Sequence, residues 1–244
     1  MNPFKMTPAY RCGASTPWGG EALREVFGKQ IPDSRTGESL EVSALPGLCS
    51  RDEDGTPLDA LLERHGAALR GTAIGERFPL LLKLLDARDR LSVQVHPNDA
   101  YAAAHEQGKL GKTEAWVILA AEPGAQLIYG LNPSVDRETL RQSLGNPEAL
   151  EACLNRVYVQ PGEVFYIPAG MVHAIGGGIL LYEIQQSSDV TYRLWDWMRR
   201  DAKGNLRELH VEDALAVTRT GLWMESLAGV TIAQGRSSRT LYIA

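Results

Sequence analysis

The sequence predicts a mainly β protein, built as a β-barrel or sandwich that carries helices. Short apolar runs separated by Gly and Pro turns fill most of residues 80–198. Apolar and polar residues alternate within several of these runs, as they do in strands whose two faces meet different surroundings. Segments with helical spacing lie at about 55–70 and 134–154. Many short strands with two helical insertions are typical of barrels and sandwiches.

The first predicted element is an amphipathic helix over residues 57–70. Pro57 suits its first turn, and apolar-face positions then recur every three to four residues. These positions are Leu58, Leu61, Leu62, His65 and Leu69. We expect His65 to be an ordinary packed histidine rather than a ligand. The run Leu80–Leu85 follows as a strand that contains Lys83, which we expect to reach a pocket or to pair with a buried acid.

The strand-rich block then continues to residue 198. Its predicted strands cover residues 91–96, 114–120, 126–129, 156–159, 163–167, 179–185 and 191–197. The second and third of these strands are expected to pair around the Pro123-Gly124 turn.

Two helices are predicted inside this block. Asn132 and Ser134 are both candidate caps of the first helix, which ends near Leu144. Asn146-Pro147 opens the second helix, which reaches Leu154, because Asn is a good cap and Pro suits the first helical position.

Composition excludes several classes of protein. The 244 residues contain 25 Lys and Arg against 30 Asp and Glu, so the basic excess that nucleic acids and anionic membranes favour is missing. No apolar run approaches the roughly 20 residues of a membrane-spanning helix, and the N-terminus lacks a secretory apolar stretch. The three cysteines, Cys12, Cys49 and Cys153, are odd in number and widely spaced, which argues against disulfides and thiolate zinc sites. We expect a cytoplasmic protein that binds neither nucleic acid nor membranes. The sequence leaves its oligomeric state open.

Four polar residues lie at positions where apolar residues would pack better. Gln94 and His96 share one face of a strand, Glu114 begins a strand that we expect to run alongside, and His173 follows the turn that ends at Gly170. Two imidazoles, a carboxylate and an amide oxygen suit Zn²⁺ and its neighbours. Gln94 and His96 alone are a weak signal, because two polar residues on a strand usually face solvent, so the combination of all four carries the prediction. Because the set contains no thiolate, it favours a catalytic site over a structural one.

The spacing Gly162-x5-Pro168-x-Gly170-x2-His173 resembles the second motif of the cupin superfamily. The first motif would be Gln94-x-His96, with Glu114 after an insertion. Over about residues 8–218 the chain is similar to type I mannose-6-phosphate isomerases of the short bacterial kind. The segments that carry this resemblance are Pro17–Gly20, Leu84–Ala87, Leu91–Asp99, Gly111–Trp116, Glu183–Arg193 and Arg207–His210. The resemblance implies a cupin (jelly-roll) β-barrel with helical insertions.

The resemblance also implies the site residues. The metal ligands would be Gln94, His96, Glu114 and His173, holding one Zn²⁺ per chain, although other divalent metals suit the same set. Arg193 and Lys112 match an active-site arginine and lysine of the family. Glu183 and Asp189 match acidic residues of the same pocket.

Interconverting an aldose and a ketose moves a proton between C1 and C2, which requires a base, a group that polarises the carbonyl and a group that holds the phosphate. Arg193 and Lys112 suit the phosphate, and Arg193 equally suits the developing enediolate charge. Glu183 is the expected base, because strand alternation places it on the same face as Ile179, Leu181 and Gln185. Burial on that face would raise its pKa. An inward carboxylate that only orients a ligand is the alternative. Asp189 is expected to bind substrate, with turn capping as the alternative.

The expected function is therefore a metal-dependent isomerase of mannose 6-phosphate and fructose 6-phosphate. A non-catalytic sugar-phosphate-binding protein and an Fe²⁺-dependent cupin oxygenase fit the same fold, although Lys112 and Arg193 disfavour the oxygenase. We expect residues 1–200 to form the catalytic domain and residues 201–244 to form a shortened extension in place of the second, smaller barrel of such isomerases.

Overall fold

The computed structural model describes residues 4–71, 77–201, 203–222, 227–228, 230–234 and 237–241. Among these residues, the largest sheet has seven strands. In spatial order they are β1 (Ala9–Cys12), β2 (Thr36–Val42), β3 (Leu80–Ala87), β10 (Ile179–Gln186), β5 (Glu114–Ala121), β8 (Glu163–Ile167) and β12 (Leu227–Ala228). Neighbouring strands are antiparallel throughout.

A second sheet within the same described residues has five antiparallel strands. Their order is β11 (Tyr192–Trp195), β4 (Val93–Val95), β9 (His173–Ile175), β6 (Gln126–Leu131) and β7 (Leu154–Tyr158). Strands β13 (Val230–Gln234) and β14 (Ser237–Leu241) pair with each other as a separate two-stranded antiparallel sheet.

The helices are short. They are α1 (Ala22–Phe27), α2 (Leu58–His65), α3 (Ala67–Arg70), α4 (Asp99–His105), α5 (Arg137–Ser143), α6 (Pro147–Cys153) and α7 (Val211–Val217). No helix in the described part of the chain is long and apolar enough to cross a bilayer.

The five-stranded sheet is buried on both faces. One face meets the seven-stranded sheet in a core that includes Leu127 from β6 and Trp116 from β5. The other face is covered by helices α5, α6 and α7, with Val93 and Val95 packed in the same cluster as Leu140. The valines of β4 therefore face the helices, which turns Gln94 on the intervening position toward the space between the sheets.

Three local predictions need correction. The predicted helix over 57–70 is two helices, because Gly66 interrupts it with φ 48° and ψ −122°. The cap of α5 is Asp136, whose side chain accepts a hydrogen bond from the Thr139 N–H. Neither Asn132 nor Ser134 caps this helix, and the Asn132 amide instead donates to the Ala152 carbonyl at 2.6 Å.

The predicted pairing of 114–120 with 126–129 is also wrong. Strands β5 and β6 belong to different sheets, so the chain crosses between the sheets at the Pro123-Gly124 turn. The predicted cap of α6 is confirmed, because the Asn146 side chain accepts from the Ala149 N–H. Helix α7 lies beyond residue 200, and its Ala214 and Leu215 pack in the helix-covered core.

Candidate metal centre and active site

Three buried side chains converge between the two sheets. The candidate ligand atoms of His96, Glu114 and His173 all lie within 4.8 Å of one another, so these residues can hold a metal ion. Gln94 on β4 is the cross-strand partner of His173 on β9. Glu114 comes from β5 in the opposite sheet, so the expectation that its strand runs alongside β4 is wrong.

Both histidines are oriented by backbone carbonyls. His96 Nδ1 lies 2.8 Å from the Val190 oxygen, and His173 Nδ1 lies 2.8 Å from the Met171 oxygen. Because a carbonyl only accepts, each Nδ1 carries the proton and each Nε2 presents a lone pair. The two Nε2 atoms lie 3.3 and 3.1 Å from Glu114 Oε1.

The cluster contains polar atoms that lack ordinary partners. Among the described residues, His96 Nε2 and Glu114 Oε1 are buried without a hydrogen bond. Such atoms are costly in a protein interior unless a ligand satisfies them. The Gln94 amide lies 3.3 Å from His173 Nε2, and turning that amide would bring its oxygen toward the cluster. These four residues fit a divalent metal.

The charge states also suit a metal. Burial, followed by the positive charge of Lys112, lowers the pKa of His96 to about 3, so this ring is neutral. Burial alone would raise the pKa of Glu114, but the positive charge of Lys112 holds that pKa well below its usual value. Neutral imidazole and ionised carboxylate are the forms that coordinate metals.

A cleft with a cavity volume of about 90 Å³ opens beside this cluster. The structure brings together along it the other predicted site residues, namely Lys112, Glu183, Asp189 and Arg193, together with Gln94. Lys112 is buried and its Nζ lies 3.0 Å from Glu114 Oε2. Asp189 lies at the more exposed rim, where it pairs with Lys109 at 3.0 Å.

Arg193 lies on the strand next to Gln94. On β11 it is the cross-strand partner of Gln94. Its guanidinium donates to the Glu208 carbonyl at 3.4 Å. Burial, and then the nearby charge of Arg207, lowers the pKa of Arg193.

Glu183 is buried on the inward face of β10, with Ile179, Leu181 and Gln185, as the alternation predicts. The Trp116 indole N–H donates to Glu183 Oε2 at 2.9 Å, and Lys83 Nζ lies 3.0 Å from Oε1. Burial, followed by the charge of Glu114, raises the pKa of Glu183 in spite of Lys83 and Lys112.

Sequence reasoning missed one wall of the cleft. Lys83 lines the cleft and also pairs with a buried acid, so both expectations for it are met. Lys83 lies 3.7 Å from Glu38, which in turn lies 3.5 Å from Arg11. Arg11 and Glu38 belong to β1 and β2, which the sequence did not indicate because the run from Thr36 to Glu41 is largely polar and lacks a clear alternation.

The chain is similar to known proteins of one kind. Residues 4–115 match the family described as phosphomannose isomerase type I, catalytic domain. The chain is 48% identical over 204 residues to mannose-6-phosphate isomerase ManA of Bacillus subtilis, covering 82% of this chain and 64% of that protein. It is 43% identical over 220 residues to the probable mannose-6-phosphate isomerase GmuF of the same organism, covering 88% of this chain and 68% of that protein.

The fold is similar too. A crystal structure of mannose 6-phosphate isomerase from Bacillus subtilis superposes with a TM-score of 0.91 at 35% identity, covering 100% of this chain and 77% of that one. This similarity confirms the predicted mainly β cupin fold. The chain spans just under two thirds of the length of ManA. The identity and coverage establish that the chain belongs to the type I mannose-6-phosphate isomerase family.

Proposed function

We propose that this chain is a metal-dependent aldose–ketose isomerase that interconverts mannose 6-phosphate and fructose 6-phosphate through an enediol. One observation carries the proposal: the buried His96–Glu114–His173 cluster adjoins a cleft that is lined by a buried carboxylate, Glu183, and by cationic side chains. We infer the substrate from the names of its relatives, which are mannose-6-phosphate isomerases.

Gln94, His96, Glu114 and His173 would hold the metal, for which we propose one Zn²⁺. A bound divalent ion with an open position supplies Lewis-acid polarisation of the sugar oxygens. The remaining chemistry belongs to the side chains around the cleft.

Glu183 is the proposed base that moves the proton between C1 and C2. Trp116 and Lys83 hold its two oxygens, so the carboxylate is fixed in orientation. Its raised pKa brings proton uptake and release closer to neutral pH, which suits a group that must do both in one turnover.

Lys112 and Arg193 supply positive charge for the phosphate and for the enediolate. Arg193 is suited to the enediolate because it lies opposite Gln94. Asp189 at the rim is suited to accept hydrogen bonds from sugar hydroxyls. All of these residues lie before residue 200, in the proposed catalytic domain, with 201–244 as the extension.

The test is a coupled isomerase assay on purified protein before and after chelation, with metal analysis of the same samples. We expect turnover that is lost on chelation and restored by Zn²⁺. Metal-replete protein that binds the sugar phosphate tightly without converting it would contradict the proposal and indicate a binding protein. Substrate-dependent oxygen uptake would indicate an oxygenase.

A further inference from the structure

Five cationic side chains line the cleft, and they differ in how closely carboxylates neutralise them. The five are Arg11, Lys83, Lys112, Arg193 and Arg207. Three are already paired with buried carboxylates: Lys112 with Glu114 at 3.0 Å, Lys83 with Glu183 at 3.0 Å and Arg11 with Glu38 at 3.5 Å. A ligand anion would have to compete with these partners.

Arg193 and Arg207 are less well neutralised. Among the described residues, no carboxylate oxygen lies within 4.0 Å of the Arg193 guanidinium. Arg207 Nη1 lies 3.6 Å from Asp196 Oδ2, and Asp196 is shared with Arg199, whose Nη1 lies 3.2 Å away. These two side chains therefore give the cleft a surplus of positive charge.

The two arginines hold different positions. Arg193 lies opposite the proposed metal ligand Gln94. Arg207 contacts no proposed metal ligand among the described residues, and its Nη2 donates instead to the Ser15 carbonyl at 3.5 Å. The Arg207 side chain keeps 29% of its surface exposed, so a ligand can reach it.

We propose that Arg207 binds the phosphate group of the substrate, which leaves Arg193 to act at the reacting carbons. This inference rests on the proposed function, since a hexose 6-phosphate carries its phosphate at the opposite end of the carbon chain from C1 and C2. A guanidinium offers a planar pair of donors that matches two phosphate oxygens. Asp196 and the Ser15 carbonyl hold the Arg207 side chain in place before substrate arrives, which reduces the entropic cost of binding.

The experiment compares Arg207→Gln and Arg207→Lys with the parent protein. The measurements are KM and kcat for mannose 6-phosphate and the inhibition constant of inorganic phosphate. For Arg207→Gln we expect KM and the inhibition constant to rise about tenfold or more, with kcat within about threefold of the parent value. Arg207→Lys keeps the charge but loses the paired donors, so its increase should be smaller.

Arg200→Gln is the matched control. Arg200 forms a β-bridge with Leu206, next to Arg207, but its side chain donates to the Gly204 carbonyl and does not line the cleft. Arg200→Gln removes the same charge as Arg207→Gln. If its KM and phosphate inhibition constant stay at the parent values, the effect of Arg207→Gln comes from contact with the ligand and not from net charge. An equal rise in this control would overturn the assignment.

Values of KM and phosphate inhibition within about twofold of the parent would also overturn it, as would a fall in kcat at unchanged KM. If the parent protein does not isomerise the sugar, the proposed function fails, and calorimetric titration with inorganic phosphate still decides the role of Arg207. If circular dichroism shows that Arg207→Gln is unfolded, the test uses Arg207→Lys instead. A KM and a phosphate inhibition constant equal to those of the parent protein would then reject the proposal.

Discussion

The Nδ1 atoms of His96 and His173 face the carbonyls of Val190 and Met171, so backbone rather than side chains orients both rings. No substitution of a neighbouring side chain removes these acceptors directly. The orientation of the imidazoles therefore depends on the path of the chain before β9 and before β11. Glu114 differs, because its ionised state depends on the Lys112 side chain.

Substitution of His173 and Arg193 should separate metal binding from turnover. His173→Ala should lose both bound metal and activity, because it removes one of three converging ligands. Arg193→Ala should keep the metal and lose at least about tenfold in kcat, because only the cation beside the reacting carbons is removed. Metal analysis and steady-state kinetics measure the two effects.

His105→Ala is the control for the histidine variant, since His105 is exposed and stacks on Tyr101 outside the cluster. Near-parental kcat in Arg193→Ala would remove Arg193 from the mechanism. Full metal content in His173→Ala would remove His173 from the ligand set.

At the scale of single residues, the sequence predicted those placements that depend on short spacing along the chain. Gln94 and His96 lie two residues apart, so local geometry alone relates their positions. His173 joins them only because β9 pairs with β4. The contacts of Lys83 with Glu38 and Glu183 depend on which strands lie beside β3. That pairing joins segments far apart in sequence, and no local pattern determines it.

At the scale of elements, β4 explains how a polar site forms inside a sandwich. Its valines pack against the helix-covered core, so the alternate positions face the other sheet. A polar residue there is costly unless a partner satisfies it, and a bound metal would do so. The alternation of apolar and polar residues predicted strand β4 correctly. Which of its two faces points toward the other sheet depends on the helices that cover its valines.

Helix α6 gives a test of a capping prediction. Asn146→Ala removes the acceptor for the Ala149 N–H, which lies 3.2 Å from Asn146 Oδ1, and should cost about 1 kcal/mol of unfolding free energy. Chemical denaturation measures the change, and Asn146→Asp should retain most of the stability. Because α6 lies away from the cleft, kcat should be unchanged, and a large loss of kcat would contradict this separation.

Turn signals were less informative than strand alternation. Pro123-Gly124 marks a turn, but a turn does not reveal whether the next strand pairs with the previous one or joins the opposite sheet. The apolar spacing on both sides of Gly66 likewise fits one continuous helix. Gly66 nevertheless interrupts that helix, because its ψ of −122° is not helical. Both errors concern how the chain changes direction.

At the scale of the whole molecule, the proposed ligands join the two sheets. Gln94 and His173 lie on the five-stranded sheet, and Glu114 lies on the seven-stranded sheet. A bound metal therefore links both layers of the core.

Removal of the metal should lower the thermal stability of the whole fold. A ligand present at about 100 times its Kd stabilises the folded state by about 2.7 kcal/mol, so chelation should lower Tm and added Zn²⁺ should restore it. Differential scanning calorimetry measures the shift. The His173→Ala variant serves as control, because chelation should leave its Tm unchanged, and an equal shift there would locate the effect elsewhere.

The alternation of β4 also links folding accuracy to function. A slip of β4 by one residue would turn Val93 and Val95 toward the cleft and Gln94 toward the helices. Such a misaligned chain would lose both the packing of these valines against the helices and the proposed metal site. The metal content of purified protein would therefore report the register of β4.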